Sequence, residues 1–197
     1  LPDAEVIKKA HAVILPFIHR TPVLQCETFN RMLQMQLYFK CENFQKVGAF
    51  KYRGASYAVS TLPKEVSDKG VATHSSGNHA QALALAAAKA GIKAFIVMPE
   101  TAPAVKRAAV AGYGAEIITC APTLAAREST LEAVIASTGA HVIHPYNDYR
   151  VITGQATCAL EMLEDVENLD AIFAPVGGGG LISGTALSAH FFSSSTD

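Results

Sequence analysis

The chain has 197 residues, half of them hydrophobic, which is enough for a substantial core and too apolar for a disordered segment. Its net charge is −1 and its pI about 6.7, so no basic face is written into it and nucleic acid is not an expected partner. No signal-peptide pattern and no apolar run long enough to span a membrane is present, which leaves the cytosol as the default compartment and no membrane partner.

Taken in chain order, the hydrophobic spacing predicts alternating helices and strands. Residues 3–18 read as a helix with Pro16 near its end, and 37–41 as a strand. Residues 51–62 read as a helix stopped by Pro63, and 71–73 as a short strand. An alanine-rich helix over 78–90 is ended by Gly91, and 94–98 is a buried strand. A helix over 102–111, a strand over 116–119, a helix over 124–137 and a strand over 142–144 follow. A helix over 152–166, a strand over 171–176 and a helix over 181–190 complete the pattern, and the polar tail 193–197 is expected to fray. Alternation of this kind implies βαβ units and a parallel sheet covered on both faces. The compact steps between 70 and 147 read as a small lobe between two pieces of a larger one, 1–69 and 148–197. The chain stops soon after the last helix, so the large lobe is expected to be incomplete.

Three segments carry chemistry. Lys51 stands in Gly48-Ala49-Phe50-Lys51-Tyr52-Arg53-Gly54-Ala55. A lysine beside glycines and an aromatic, at a helix start, suggests a desolvated amine able to attack carbonyls. Ser75-Ser76-Gly77-Asn78-His79 joins a strand to a helix. Asn78 there is either an N-cap or a ligand contact. Gly177, Gly178, Gly179 and Gly180 follow an apolar run and precede a helix. Such a turn lets backbone N–H groups close on a phosphate at a helix N-terminus, although a plain tight turn has the same composition. A dinucleotide fingerprint is not formed, because Ile182 or Ser183 falls where its third glycine belongs. The four cysteines, Cys26, Cys41, Cys120 and Cys158, are too far apart for a zinc knuckle or redox pair and read as reduced thiols. His141, His144 and Asp148 could form a metal cluster, but core or cap roles suit them better.

In this order the three segments resemble those of fold-type II enzymes dependent on pyridoxal 5'-phosphate (PLP), in the branch of serine racemases and threonine/serine dehydratases. His144-Pro145-Tyr146-Asn147-Asp148 and Gly154-Gln155 share the resemblance, which extends to about His190. It implies a twisted α/β fold like that of tryptophan synthase β, in two lobes. It implies Lys51 as the Schiff-base (internal aldimine) residue and Ser76 as an acid/base opposite it. Phe50 would pack on the cofactor ring, Asn78 bond its ring hydroxyl, and the glycines at 177–180 bind its phosphate. Ser75, Ser76, Gly77 and His79 would line the substrate carboxylate, with Arg127 approaching it; the competing reading of Arg127 is a solvated helix arginine. The implied substrate is a small amino acid, and the implied reactions are serine racemisation and β-elimination to pyruvate and ammonia.

Some positions depart from the family pattern. Ala49 stands where many relatives have serine, and Tyr146 where animal racemases have asparagine. The family's partner to the pyridine nitrogen and its divalent-metal site would lie beyond Asp197, so Mg2+ and ATP, both possible in the family, have no site here. A homodimer is expected of a full-length protein. Two alternatives stay open: a threonine/serine or 3-hydroxyaspartate ammonia-lyase, and a catalytically incomplete member of the family that acts by binding or is inactive.

Overall fold

The computed structural model describes residues 1–193; residues 194–197, most of the tail expected to fray, lie outside the described residues. The chain opens with α1 (Ala4–Ile14), whose N-terminus is capped by the Asp3 carboxylate accepting from the Val6 N–H at 2.9 Å. A short antiparallel hairpin follows, β1 (Val23–Gln25) and β2 (Tyr38–Lys40), joined through α2 (Glu27–Leu33). Next come α3 (Lys51–Ser60) and the single turn α4 (Lys64–Ser67). The sheet proper is built from β3 (Val71–His74), β4 (Ala94–Pro99), β5 (Glu116–Cys120) and β6 (His141–Val142). Between those strands run α5 (Asn78–Ala90), α6 (Ala104–Gly112) and α7 (Leu124–Thr138). Two long helices close the chain, α8 (Tyr149–Asp165) and α9 (Gly180–Phe192).

The sheet is parallel throughout, in the order β5-β4-β3-β6, as the βαβ alternation requires. Its strands alternate cleanly. Val71, Ala94, Ile96 and Met98 join one core with Ala80, Leu83 and Ala87 of α5, while Ala72, Phe95 and Val97 join another with Leu131 and Val134 of α7. Helix ends follow their punctuation. Thr123 and Asp148 cap α7 and α8, and Gly91 and Gly139 end α5 and α7 at φ of 68° and 71°. Among the described residues no helix is long and apolar enough to cross a membrane.

One expectation fails here, and three short elements were not foreseen. Residues 171–176 form no strand: Phe173 is 93% exposed and no neighbouring strand pairs with the segment among the described residues. An apolar run extends as a strand only where a ladder partner satisfies its backbone. The hairpin's first strand, α2 and α4 were not anticipated. Three-residue strands are too short to show a period, and neither α2 nor α4 buries any residue.

α3 is the central helix, with residues 52–59 all buried. It lies between α5 and α8, and α8 in turn packs on α9. Glycines set these spacings. A Cβ on Gly154 would stand 2.6 Å from the Arg53 carbonyl oxygen, one on Gly54 2.8 Å from that of Val151, and one on Gly184 2.6 Å from the Ala156 nitrogen. The three helices therefore touch backbone to backbone.

Arg53 locks this stack. It is wholly buried, and its guanidinium grips two carboxylates: Nε and Nη2 donate to Glu42 at 2.9 and 2.8 Å, and Nη1 and Nη2 donate to Glu161 at 2.8 Å each. The Lys40 ammonium adds a 2.8 Å contact to Glu161, and the His11 ring reaches it at 3.1 Å. Burial opposes ionisation of Glu161, but hydrogen bonds from His11, Arg53 and Lys40 outweigh it and hold the carboxyl far below the usual range. One cluster thus ties α1, the end of β2, the turn at Glu42, α3 and α8 together.

Breaking a buried pair leaves a charge without compensation, so Glu161→Ala should destabilise the protein by about 3–5 kcal/mol in urea denaturation. Because the Glu161 pKa is lowered on folding, its contribution is full above the unfolded value of about 4.3 and is lost as pH falls below it. Glu161→Gln should flatten that acid limb. Gly154→Ala should cost about 1–3 kcal/mol by forcing α3 and α8 apart, read as a lowered thermal midpoint.

Candidate active site

Lys51 is the first residue of α3, two positions before Arg53, so the two side chains leave the helix on different sides. With Arg53 fixed in the core, the Lys51 amine emerges at the helix start. It is half-buried, and burial pushes its pKa below the ordinary lysine value. Nζ donates to the Pro145 carbonyl oxygen at 2.7 Å and stands 5.2 Å from the centre of the Phe50 ring. The approach to this helix is held tightly. Val47 and Gly48 both take positive φ, 59° and 69°. For a β-branched residue that conformation is strained and persists only where surroundings enforce it. The buried Gln45 side chain does so: Oε1 accepts from the His19 and Lys46 N–H groups at 2.9 and 3.0 Å, and Nε2 donates to the His19 carbonyl at 2.7 Å.

The Ser75 loop leaves the C-terminal end of β3 and enters α5. Gly77 occupies the cap position and offers no side chain, so Asn78 is the first helical residue and not the N-cap that its type allowed. Its side chain is exposed, and Oδ1 accepts from Lys106 Nζ at 2.8 Å. The Ser75 hydroxyl accepts from the Gly77 N–H at 3.3 Å. Ser76 is half-buried, and no partner for its hydroxyl is found among the described residues. The His79 imidazole turns into the core, where Nε2–H donates to the Ile143 carbonyl at 3.0 Å and Nδ1 has no partner. Burial lowers its pKa to about 4, so this ring is neutral at physiological pH, and only the His79 backbone faces the helix entrance.

The glycine run enters α9 in the same uncapped way. Gly179, at φ 92°, holds the cap position, and Gly180 begins the helix. A Cβ on Gly178 would collide with the Tyr146 ring and one on Gly180 would press on Tyr146 at 3.1 Å, while Gly177 and Gly179 look onto open space. The helices α5 and α9, 13 residues each, therefore present first-turn N–H groups that no side chain occupies, unlike the capped α1, α7 and α8. Such ends attract anionic oxygens.

Residues 143–146 bring the three segments together. Ile143 receives His79, Pro145 receives Lys51, and Tyr146 packs on Gly178 and Gly180. His144 fixes this turn by accepting the Tyr146 and Asn147 N–H groups at 3.3 and 2.9 Å, and its ring meets that of Tyr146 edge-on at 4.5 Å. Asp148 caps α8 and binds Arg150, which in turn reaches His141. The residues that suggested a metal cluster thus serve as turn and cap. Arg127 is not joined to the Ser75 loop: its bond goes to the Pro122 carbonyl at 3.5 Å, beside the start of α7. Gln45 and Lys106 shape the site without any signal that singled them out in the sequence, and Tyr146 was marked there only as a departure from the family pattern. Only Tyr146 lay within a recognised segment.

A group carrying a carbonyl, a ring hydroxyl and a phosphate fits these residues. There is a desolvated amine for the first, an amide for the second and an open glycine cradle at a helix N-terminus for the third. The serine racemase of Dictyostelium discoideum is 52% identical over 183 residues, 93% of this chain and 56% of that protein. The beta-hydroxyaspartate dehydratase of Paracoccus denitrificans is 52% identical over 187 residues, 95% of this chain and 59% of that protein. The crystal structure of the Dictyostelium serine racemase superposes with a TM-score of 0.92 at 51% identity, covering 95% of this chain and 61% of the other. The chain spans little more than half the length of these curated relatives. The family model described as "Pyridoxal-phosphate dependent enzyme" matches residues 14–195, and the chain belongs to that family.

Proposed function

We propose that this chain carries the cofactor-binding part of a PLP-dependent serine racemase that also eliminates water from serine to give pyruvate and ammonia. The observation that supports it most is the turn at residues 143–146, which gathers a desolvated Lys51, the open start of α5 and the glycine cradle. When bound, the cofactor supplies an electron sink for negative charge at the substrate's α-carbon. Lys51 is the amine that holds the cofactor and then carries a proton to or from that carbon. Racemisation needs a second proton carrier, and Ser76, with its unengaged hydroxyl, is assigned that role. Phe50 flanks the ring, Asn78 bonds the ring oxygen, and the backbone at 177–180 binds the phosphate. The Ser75, Gly77 and His79 backbone at the start of α5 receives the substrate carboxylate; Arg127 would need a movement of α7 to join it.

In this reading residues 70–147 form a small lobe and residues 1–69 and 148–197 belong to a large one, and the full-length protein is a homodimer. A 3-hydroxyaspartate ammonia-lyase is the second reading. It is favoured by the 52% identity to the beta-hydroxyaspartate dehydratase and to the L-threo-3-hydroxyaspartate ammonia-lyase of Saccharomyces cerevisiae.

Ser76→Ala separates the two. With the cofactor supplied, D-serine formation from L-serine should fall by about 10²–10⁴-fold while pyruvate formation persists. Undiminished racemisation in that variant would contradict the role of Ser76. Oxaloacetate formed from 3-hydroxyaspartate, with no D-serine formed from L-serine by the unmutated chain, would favour the lyase.

A further inference from the structure

We propose that Lys106 is a positioning residue that sets the orientation of the Asn78 amide, so that Asn78 presents its N–H donors to an anionic oxygen in the site. The proposal rests on the reading of Asn78 as a cofactor contact.

An asparagine side chain carries one accepting oxygen and one nitrogen with two N–H donors, and a half-turn of the amide exchanges them. A lysine ammonium has three donors and no acceptor. The atom that faces Lys106 Nζ at 2.8 Å must therefore be the oxygen, which leaves the nitrogen on the other side. No other side chain or backbone group engages the Asn78 amide among the described residues, so this one bond decides its orientation. Without it the flipped amide would turn an acceptor toward the same place, and an acceptor repels an oxygen bearing negative charge.

The placement of Lys106 supports the same conclusion. It comes from α6, a different element from α5, and it pairs with no carboxylate among the described residues. α6 itself is anchored by the buried Val110 and packs on α5 and β5. The ammonium is thus carried to the start of α5, where the uncapped N–H groups and the helix dipole already favour an anion. Three features then act in one direction: the cation, the helix end and the oriented amide. The ligand they suit is a ring oxygen in its ionised form, as on a 3-hydroxypyridine.

The test uses 4-deoxypyridoxine 5'-phosphate, which retains the ring hydroxyl and phosphate but lacks the carbonyl that would link it to Lys51. Binding to the full chain is measured by calorimetry for the wild type, Lys106→Met, Lys106→Arg, Asn78→Ala and the double variant Lys106→Met with Asn78→Ala. Lys106→Met should weaken binding about five- to tenfold, the worth of one hydrogen bond. Lys106→Arg should restore most of the loss. If Lys106 acts through Asn78, the double variant should bind no more weakly than Asn78→Ala alone. Losses that multiply in the double variant, or a Lys106→Met chain that binds like the wild type, would overturn the proposal. In the ligand-free chain, Lys106→Met should also shift the paired Asn78 Nδ2 proton resonances in a nitrogen-correlated NMR spectrum; unmoved resonances would count against the hydrogen bond itself. A wild-type chain that binds no probe would overturn the cofactor reading of the site and, with it, the purpose assigned to Lys106. The NMR comparison still judges the Lys106–Asn78 bond in that event. Matching thermal midpoints across the variants at this solvent-facing position separate a lost contact from a lost fold.

Discussion

The guanidinium of Arg53, shut inside the protein and gripped by Glu42 and Glu161, is the interaction on which the remaining geometry depends. Its charges are matched locally, with Arg53 and Lys40 facing two carboxylates, so burial is tolerable only while every partner stays in place. That condition fixes the rotation of α3 about its own axis and its distance from α8. The glycines at 54, 154 and 184 are the steric counterpart, since the helices must approach closely enough for the guanidinium to reach across. Lys51 lies less than one turn away on the same helix. The precision of its placement is inherited from a cluster that has no chemical part of its own.

The second constraint is the turn that follows β6. Residues 143–146 use backbone carbonyls to receive His79 and Lys51 and a tyrosine ring to cover the glycine run. The turn is stabilised from within by the His144 ring and from behind by the Asp148 cap of α8. Around it the starts of α3, α5 and α9 carry no side-chain cap and one amine is partly desolvated. Each is unfavourable by itself for stability, whereas α1, α7 and α8 have their first turns capped by Asp3, Thr123 and Asp148. Unsatisfied donors grouped beside a lowered-pKa lysine are what an anionic carbonyl cofactor requires.

Much of this was legible in the sequence. α5 runs over the residues its pattern predicted, and the buried strands at 71 and 94 start where expected. Their signals are local: alanine-rich periodicity, a terminating glycine, a short apolar run between turns. The strand expected over 171–176 failed because strand formation depends on a partner, and composition does not reveal whether one exists. Arg53 was noticed as part of a motif, yet its role was hidden, since Glu161 is 108 positions away and nothing local marks the pair. Asn78 read equally well as a cap, and its true position one residue inside the helix is decided by how Gly77 bends the backbone. Lys106 and Gln45 were invisible for the same reason as Glu161. Their meaning comes from a tertiary contact and not from a spacing.

On the proposed function, Lys51 is the amine that takes the cofactor. Incubating the chain with PLP, reducing with borohydride and mapping the modified peptide by mass spectrometry shows which amine it is. A single modified lysine, Lys51, is expected, with a yield far above that of the other lysines, because burial lowers its pKa and the turn at 143–146 sets it beside the open glycine run. A label spread over exposed lysines such as Lys8 and Lys64, or none at Lys51, would contradict it.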